Sequence, residues 1–210
     1  MAPVVIGSGG VLYGTTARSN NGQGLGTVFS LTPPATQGGS WTETILHEFS
    51  GPPGDGEFPL AGLLIGKGGA LYSTTFSGGN GTGGCCGTVF SLTAPISQGG
   101  SWTESILHNF TGSGGDGDFP VDLVLGGGGV LYGTTELGGT SGQGTVFSLK
   151  PPASHTGSWT ETVLYSFTGT SGDGSSPQAG LVIDGTGLLY GTTVHGGSSS
   201  NDGIVFSLTP

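Results

Sequence analysis

The sequence predicts an all-β protein: a β-propeller-like array of four repeats of about 59 residues, each with four strands except the last, which lacks its fourth strand. Two recurring motifs support this prediction. A Leu-Tyr-(Gly/Ser)-Thr-Thr motif starts at Leu12, Leu71, Leu131 and Leu189, and a Val-Phe-Ser-Leu motif follows each copy, with its phenylalanine at Phe29, Phe90, Phe147 and Phe206. We expect repeat units at about 1–60, 61–120, 121–178 and 179–210, within one domain over residues 1–210.

The composition favours strands over helices. The chain of 210 residues contains 48 glycines and 12 prolines, which separate short segments rich in valine, isoleucine, leucine and aromatic residues. Such segments are typical of strands, and glycine supplies the positive φ that tight turns need. No segment shows the periodicity of a helix.

Each repeat begins with two strands that are predicted to form a hairpin. The first is a short apolar segment, and a glycine turn joins it to the Leu-Tyr strand. The third strand, residues 27–31 in the first repeat, ends at Pro33-Pro34, where proline stops ladder pairing. The first strands are predicted at residues 4–7, 63–66, 123–126 and 181–184.

The fourth strand contains a Ser-Trp-Thr-Glu motif that starts at Ser40, Ser101 and Ser158. Strict alternation predicts one face in the first repeat with Trp41, Glu43, Ile45, His47 and Phe49. Apolar residues also occur on the opposite face, as expected for a strand between two neighbouring sheets. We therefore expect the recurring tryptophans, and the tyrosines of the second strand, to pack between repeats.

The fourth repeat has no copy of this Trp-containing strand, because the sequence stops at Pro210. Its third strand is then predicted to be an unpaired, uncharged edge, and such edges recruit other strands. The predicted assembly edge consists of Gly203, Ile204, Val205, Phe206, Ser207 and Leu208.

Charge excludes two classes of partner. Only Arg18, Lys67 and Lys150 are basic, and the formal net charge is −10. A nucleic-acid binder needs a basic surface, so we expect no nucleic-acid partner and, with no long apolar run, no membrane insertion. No signal peptide is visible, so we expect that a leader has been removed or that the chain is part of a longer protein. The low charge and the abundance of Gly, Ser and Thr are typical of secreted bacterial surface proteins.

The two cysteines, Cys85 and Cys86, are adjacent. They can form a vicinal disulfide, stay free, or bind a metal or a second chain, and a cysteine pair without a nearby histidine is a poor zinc site.

The Gly-Asp-Gly loops after the fourth strands are the candidate ligand sites. Calcium loops often place two carboxylates two residues apart, as at Asp116 and Asp118, whereas the third loop has Ser175 at the second position. The candidate calcium ligands are Asp55, Asp116, Asp118 and Asp173, and we expect no other cofactor. The alternative is a turn in which the Asp side chain accepts backbone N–H groups.

The remaining titratable residues indicate packing rather than catalysis. Glu43, Glu104 and Glu161 recur in the Trp strands with the same sequence around them, so a hydrogen-bonding role between repeats is favoured over an acid–base pair. His47 and His108 hold equivalent positions in the first two repeats, and Tyr165 holds that position in the third. This pattern indicates a packing position that needs a side chain of aromatic size. No cluster of acid, base or nucleophile that breaks the repeat can be assembled.

The combined motif resembles the GloVer-type choice-of-anchor tandem repeat. The resemblance covers Leu-Tyr-Gly-Thr-Thr, Gly-Gly, Gly-Thr-Val-Phe-Ser-Leu, Trp-Thr-Glu-Thr, Gly-Asp-Gly and Pro in essentially the whole chain. It implies a bacterial cell-surface or secreted protein with its anchor outside this sequence. It implies no catalytic residues.

Three functions are compared. The first is a non-catalytic extracellular scaffold that self-associates into oligomers or filaments through the open edge. The second is a module that binds polysaccharide or another neutral ligand through the loops between the second and third strands, at residues 17–25, 76–86, 136–143 and 194–202. The third, a hydrolase or lyase with a site at the propeller centre, ranks last.

Overall fold

The computed structural model describes residues 2–19, 24–80, 85–97, 99–153, 157–198 and 201–210. Within these residues the chain is all-β, and its only helical segments are three single 3₁₀ turns at Ser8–Gly10, Lys67–Gly69 and Gly127–Gly129. Each turn joins the first strand of a repeat to the second. The middle glycine has a positive φ in each case, for example 67° at Gly9, which explains why the sequence needs glycine there.

The strands are numbered in chain order and form four main antiparallel sheets. The first sheet contains β1 (Val5–Ile6), β2 (Leu12–Thr16), β3 (Thr27–Thr32) and β4 (Thr42–Glu48). The second contains β6 (Leu64–Ile65), β7 (Leu71–Thr75), β9 (Thr88–Thr93) and β10 (Thr103–Asn109). The third contains β11 (Gly117–Leu125), β12 (Leu131–Gly138), β13 (Thr145–Lys150) and β14 (Thr160–Ser166). The fourth contains β16 (Val182–Ile183), β17 (Leu189–Thr192) and β19 (Val205–Leu208).

This arrangement confirms the predicted all-β repeat. Among the described residues, three sheets have four strands in chain order, and the fourth sheet has three, ordered β16-β17-β19. The sequence did not predict two short additional pairs, β5 (Gly56–Glu57) with β8 (Ser77–Gly78) and β15 (Gly174–Ser175) with β18 (His195–Gly196). The propeller-like arrangement of the four sheets stays a prediction.

A β-bulge in every fourth strand corrects the predicted face pattern. Ile45 pairs with Phe29, but His47 pairs with Val28, so Leu46 is an extra residue with no direct partner. The same shift lies between Ile106 and His108 and between Val163 and Tyr165. The prediction that His47 shares a face with Glu43 and Ile45 was therefore wrong, because one extra residue reverses the alternation.

The hydrophobic core lies between successive sheets. The described residues form three core clusters, and each joins one sheet to the next in chain order. We call the face of a sheet towards the following sheet its leading face, and the opposite face its trailing face. Val28, Val89 and Val146 lie on leading faces, and Phe90, Phe147 and Phe206 lie on trailing faces.

An aromatic pair recurs at each of the three junctions. Phe49 packs edge-on against Phe90 with ring centroids 5.2 Å apart, and the equivalent pairs are Phe110 with Phe147 and Phe167 with Phe206. Such edge-to-face pairs stabilise a core by roughly 0.5–1.5 kcal/mol beyond area burial. The repeated phenylalanines are therefore packing residues.

The two threonines of the Leu-Tyr motif have different partners. The second threonine bonds a threonine of the neighbouring strand, as in Thr75 to Thr88 at 2.9 Å. The first donates its hydroxyl to a backbone carbonyl of the following repeat, from Thr15 to Ala61 at 3.0 Å and from Thr74 to Val121 at 3.2 Å. These hydrogen bonds join consecutive repeats.

Replacing one of these bridging hydroxyls should weaken the array. We expect Thr74→Val to lower the free energy of unfolding by about 1–2 kcal/mol, since the side chain is buried and the Val121 carbonyl loses its donor. Thr192→Val is the matched control, because Thr192 holds the same motif position in the fourth repeat but is exposed. Urea denaturation of both variants measures the difference, and equal losses would contradict the bridging role.

Candidate functional site: the junctions between sheets

The junction between the first and second sheets contains a cluster of three titratable side chains. His47 Nε2 lies 3.5 Å from Asp55 Oδ2 and 3.5 Å from Glu104 Oε2. His47 comes from β4, Asp55 from the Gly-Asp-Gly loop behind it, and Glu104 from β10 of the next sheet. The cluster therefore exists only because two successive repeats pack together.

The next junction has an equivalent cluster. His108 Nε2 lies 3.5 Å from Asp116 Oδ1, and Glu161 of β14 completes the group. A histidine nitrogen and two carboxylate oxygens are donor types that divalent transition metals accept. Within the described residues these are the two places where three such groups meet within 4.8 Å.

The bulge explains why sequence alternation missed these clusters. Glu104 lies before Leu107 and points from the trailing face, whereas His108 lies after it and points from the leading face. A strand without the extra residue would place both on one face, and neither cluster could form. The recurring Trp-x-Glu-x-x-x-His spacing in the first two repeats was the sequence signal for these clusters. Strict alternation, however, placed the glutamate and the histidine on the same face of the strand.

The three Gly-Asp-Gly aspartates hold their own loops. Asp55 Oδ2 accepts hydrogen bonds from the Ser50 backbone N–H at 2.7 Å and the Ser50 hydroxyl at 2.9 Å, and Oδ1 accepts from the Gly56 N–H. Thr111 and Gly117 donate to Asp116 in the same way, and Thr168 and Gly174 donate to Asp173. This is the geometry of the turn interpretation, while calcium binding stays a prediction.

Asp118, the fourth candidate calcium ligand, belongs to neither cluster. Its Oδ1 is buried without a hydrogen-bond partner, and burial raises the pKa of its carboxyl. Asp116 contributes to this rise through charge repulsion, which disfavours the ionised form of Asp118.

Burial and charge shift the pKa values at the first cluster. Burial raises the pKa of Glu104 to about 7, although the nearby His47 opposes the rise. For Asp55, burial raises the pKa, but the nearby His47 and the hydrogen bonds from Ser50 outweigh it, and the net pKa is lowered. For His47, burial lowers the pKa, but Asp55 and Glu104 outweigh it and the net pKa is raised. The histidine therefore favours its charged form between the two carboxyl groups.

The third junction lacks part of this arrangement. Tyr165 replaces the histidine near Asp173, and the described residues supply no glutamate from the fourth sheet. A groove of about 270 Å³ lies here, lined by Tyr165, Phe167, Asp173, Ile204, Phe206, Ser207 and Leu208. It occupies the position that β10 and β14 fill at the other two junctions.

The third junction also differs from the first two in the packing of tryptophan. Trp102 packs edge-on against Tyr13 of the preceding sheet at 6.1 Å, and Trp159 packs against Tyr72 at 6.0 Å, which confirms the predicted packing between repeats. The equivalent Tyr132 instead lines a groove of about 390 Å³ with Ile183, Leu188 and Pro210.

The first sheet has a groove on its trailing face. Glu43 and Ile45 line a groove of about 410 Å³ on the trailing face of the first sheet, beside Arg18 and Thr16. Their counterparts Glu104 and Ile106 face the preceding sheet.

Cys85 and Cys86 are joined by a disulfide at the end of the loop before β9. Both contribute to the core between the second and third sheets, where Cys86 is buried. The pair lies outside the two His-containing clusters.

The variable loops proposed for ligand binding fall partly outside the described residues, which omit 20–23, 81–84 and 199–200. In the described part of the first loop, the Arg18 guanidinium lies 4.9 Å above the Phe58 ring. No helix in the described residues is long and apolar enough to cross a membrane.

These sheets and junctions define a tandem-repeat β protein whose core is built between repeats. A family model described as the Gloeobacter/Verrucomicrobia repeat matches residues 2–210, and the chain belongs to this family. This match confirms the resemblance drawn from the motifs. No curated protein matches the chain.

Removing the glutamate of the first cluster should change how stability depends on pH. The folded-state pKa of Glu104, about 7, lies above its ordinary value of 4.5, so the wild type loses stability as pH rises between these values. We expect Glu104→Gln to gain about 1–2 kcal/mol relative to the wild type from pH 4.5 to pH 8, allowing for screening of the partly exposed carboxyl.

Glu43→Gln is the matched control, because Glu43 has the same strand position but is exposed. Thermal unfolding from pH 4 to pH 8 measures both differences. A Glu104→Gln profile parallel to that of the wild type would contradict the assignment.

Proposed function

We propose that this chain is a non-catalytic repeat scaffold, located outside the cell or at its surface, that self-associates through the open edge of β19. The observation that carries the proposal is the exposure of one recurring residue. Val28, Val89 and Val146 are 0% exposed on the leading faces of the first three sheets, whereas Val205 is 80% exposed on the fourth. A second copy that covers this face and edge would bury it.

The backbone of β19 supports the same conclusion. In the first three sheets the third strand pairs on both sides, as β3 does with β2 and β4. Among the described residues β19 pairs only with β17, so its other side presents backbone donors and acceptors to solvent. Strand addition at such an edge is a common mode of association.

The first sheet offers a surface suited to the second copy. Trp41 is 49% exposed and Ile45 is 51% exposed on its trailing face, and their counterparts in the second sheet pack against the sheet before it. Contact between the leading face of one copy and the trailing face of another would repeat the internal junction. Such a heterologous contact generates a ring if it closes and a filament if it does not.

The repetition of the titratable clusters favours a scaffold over an enzyme. The His-Asp-Glu group occurs at two equivalent junctions and follows the same period as the packing residues. Its aspartates already hold their own loops. We therefore assign the clusters to the joining of successive sheets.

Placing a charge on the open face should weaken self-association. We expect Val205→Lys to raise the dissociation constant at least about tenfold, since the apolar contact is lost and a charge must be desolvated. Ile96→Lys is the control, because Ile96 is fully exposed in a linker away from the edge. Light scattering coupled to size-exclusion chromatography measures the mass over a concentration series. A wild-type chain that stays monomeric at high concentration would overturn the proposal.

A further inference from the structure

We infer that each His-Asp-Glu cluster is a binding site for one divalent transition-metal ion such as Zn²⁺, held between two successive sheets. The ligands of each site are the histidine and the loop aspartate of one repeat and the glutamate of the next: His47, Asp55 and Glu104 in the first site, and His108, Asp116 and Glu161 in the second. All three ligands of a site belong to the same chain, so the inference does not depend on self-association. It goes beyond the proposed function by giving the junctions a ligand.

The spacing of the donor atoms fits a shared ion. His47 Nε2 lies 3.5 Å from an oxygen of Asp55 and 3.5 Å from an oxygen of Glu104. In the second site His108 Nε2 lies 3.5 Å from Asp116 Oδ1. Hydrogen bonds from nitrogen to oxygen are typically about 2.9–3.0 Å long, so these pairs are not well-formed hydrogen bonds. Two ligands bound about 2.0–2.1 Å from a tetrahedral Zn²⁺ lie about 3.3–3.4 Å apart, which is close to the observed spacing.

Several atoms that converge at the two sites lack a partner. Among the described residues, four buried side-chain atoms here make no hydrogen bond: His47 Nε2, Glu104 Oε1, His108 Nε2 and Glu161 Oε1. Buried polar atoms are rarely left unpaired in folded proteins. The ligand atoms of each site lie within 4.8 Å of one another, so an ion bound among them would supply the missing interaction.

Hydrogen bonds hold the loop aspartate in place for this role. Asp116 Oδ2 accepts from the backbone N–H and the hydroxyl of Thr111, both at 2.8 Å. Within the described residues Asp116 Oδ1, the oxygen nearer His108, accepts one hydrogen bond, from the Gly117 N–H at 2.7 Å. It therefore keeps a lone pair for an ion. Hydrogen bonds of this kind orient the carboxylate ligands of metal sites.

The donor set selects the class of ion. Imidazole nitrogen is a good ligand for zinc and its neighbours in the first transition row, whereas calcium takes six to eight oxygen ligands. Two carboxylates and a neutral imidazole also balance the charge of one divalent ion. The histidine side chains are 20% exposed at His47 and 22% exposed at His108, which gives an ion access and leaves a fourth position for water.

The third junction lacks the same site. Tyr165 stands near Asp173 where the first two junctions have histidine, and the described residues of the fourth sheet supply no glutamate. A tyrosine hydroxyl titrates near pH 10, so at neutral pH it is a much weaker ligand than imidazole. We therefore expect two ions per chain. The third repeat also shows that tyrosine fits this position of the fold.

Calorimetric titration of the full chain counts the ions. The chain is first treated with a chelator and dialysed, and ZnCl₂ and CaCl₂ are then titrated separately at neutral pH. We expect two Zn²⁺ per chain and at least about tenfold weaker binding of Ca²⁺, because one ligand in each site is a nitrogen. Failure to bind Zn²⁺ at millimolar concentration, or binding of Ca²⁺ as tightly as Zn²⁺, would overturn the inference.

Histidine variants assign the ions to the sites. His47→Tyr and His108→Tyr each introduce the residue that the third repeat has at this position, and each should reduce the count from two to one. The double variant should bind neither ion. His195→Asn is the control, because His195 lies in β18 outside both sites and should keep both ions. Unchanged zinc binding in the double variant would overturn the inference.

A glutamate variant tests whether the ion joins two sheets. Glu161→Gln keeps the size of the side chain and leaves His108 and Asp116 in place, so it is compatible with folding, and circular dichroism checks that the sheets are intact. We expect it to weaken one of the two sites at least about tenfold. Two unweakened sites in Glu161→Gln would overturn the assignment of the glutamate as a ligand, and with it the placement of the ion between sheets.

Discussion

One extra residue in each fourth strand determines how the repeats join. Leu46, Leu107 and Leu164 lie in β-bulges, and each bulge turns the following side chains to the opposite face of the sheet. The strand thereby presents tryptophan, glutamate and a β-branched residue on the trailing face of its sheet. It presents histidine or tyrosine, followed by phenylalanine, on the leading face. Each sheet can engage both of its neighbours, and the His-Asp-Glu clusters and the phenylalanine pairs all depend on this change of face.

The core of the molecule follows from that arrangement. A sheet of short strands has two apolar faces and cannot bury either alone, so stability comes from the junctions. Threonine hydroxyls, aromatic pairs and the loop aspartates recur at the same period and support the same contacts. The residues that look most like catalytic groups are part of this joining surface, and their pKa shifts reflect burial together with the hydrogen bonds and charges between the sheets.

The first and fourth sheets each have one face that no other sheet of the described residues covers. The trailing face of the first sheet and the leading face of the fourth are halves of a contact that the chain completes three times internally, although the third junction lacks the strand that would deliver tryptophan and glutamate. Exposed Trp41, Ile45 and Val205 are therefore packing residues without a neighbouring sheet in the described chain.

The sequence by itself determined the repeat, its period, the strand content and the family, because motif spacing and glycine turns are local properties of the chain. Only the tertiary structure decided which side chains face which neighbour. A β-bulge changes the register by one residue, and that shift depends on pairing between strands rather than on the composition of either strand. The clusters around His47 and His108 were for that reason visible only once the sheets were stacked.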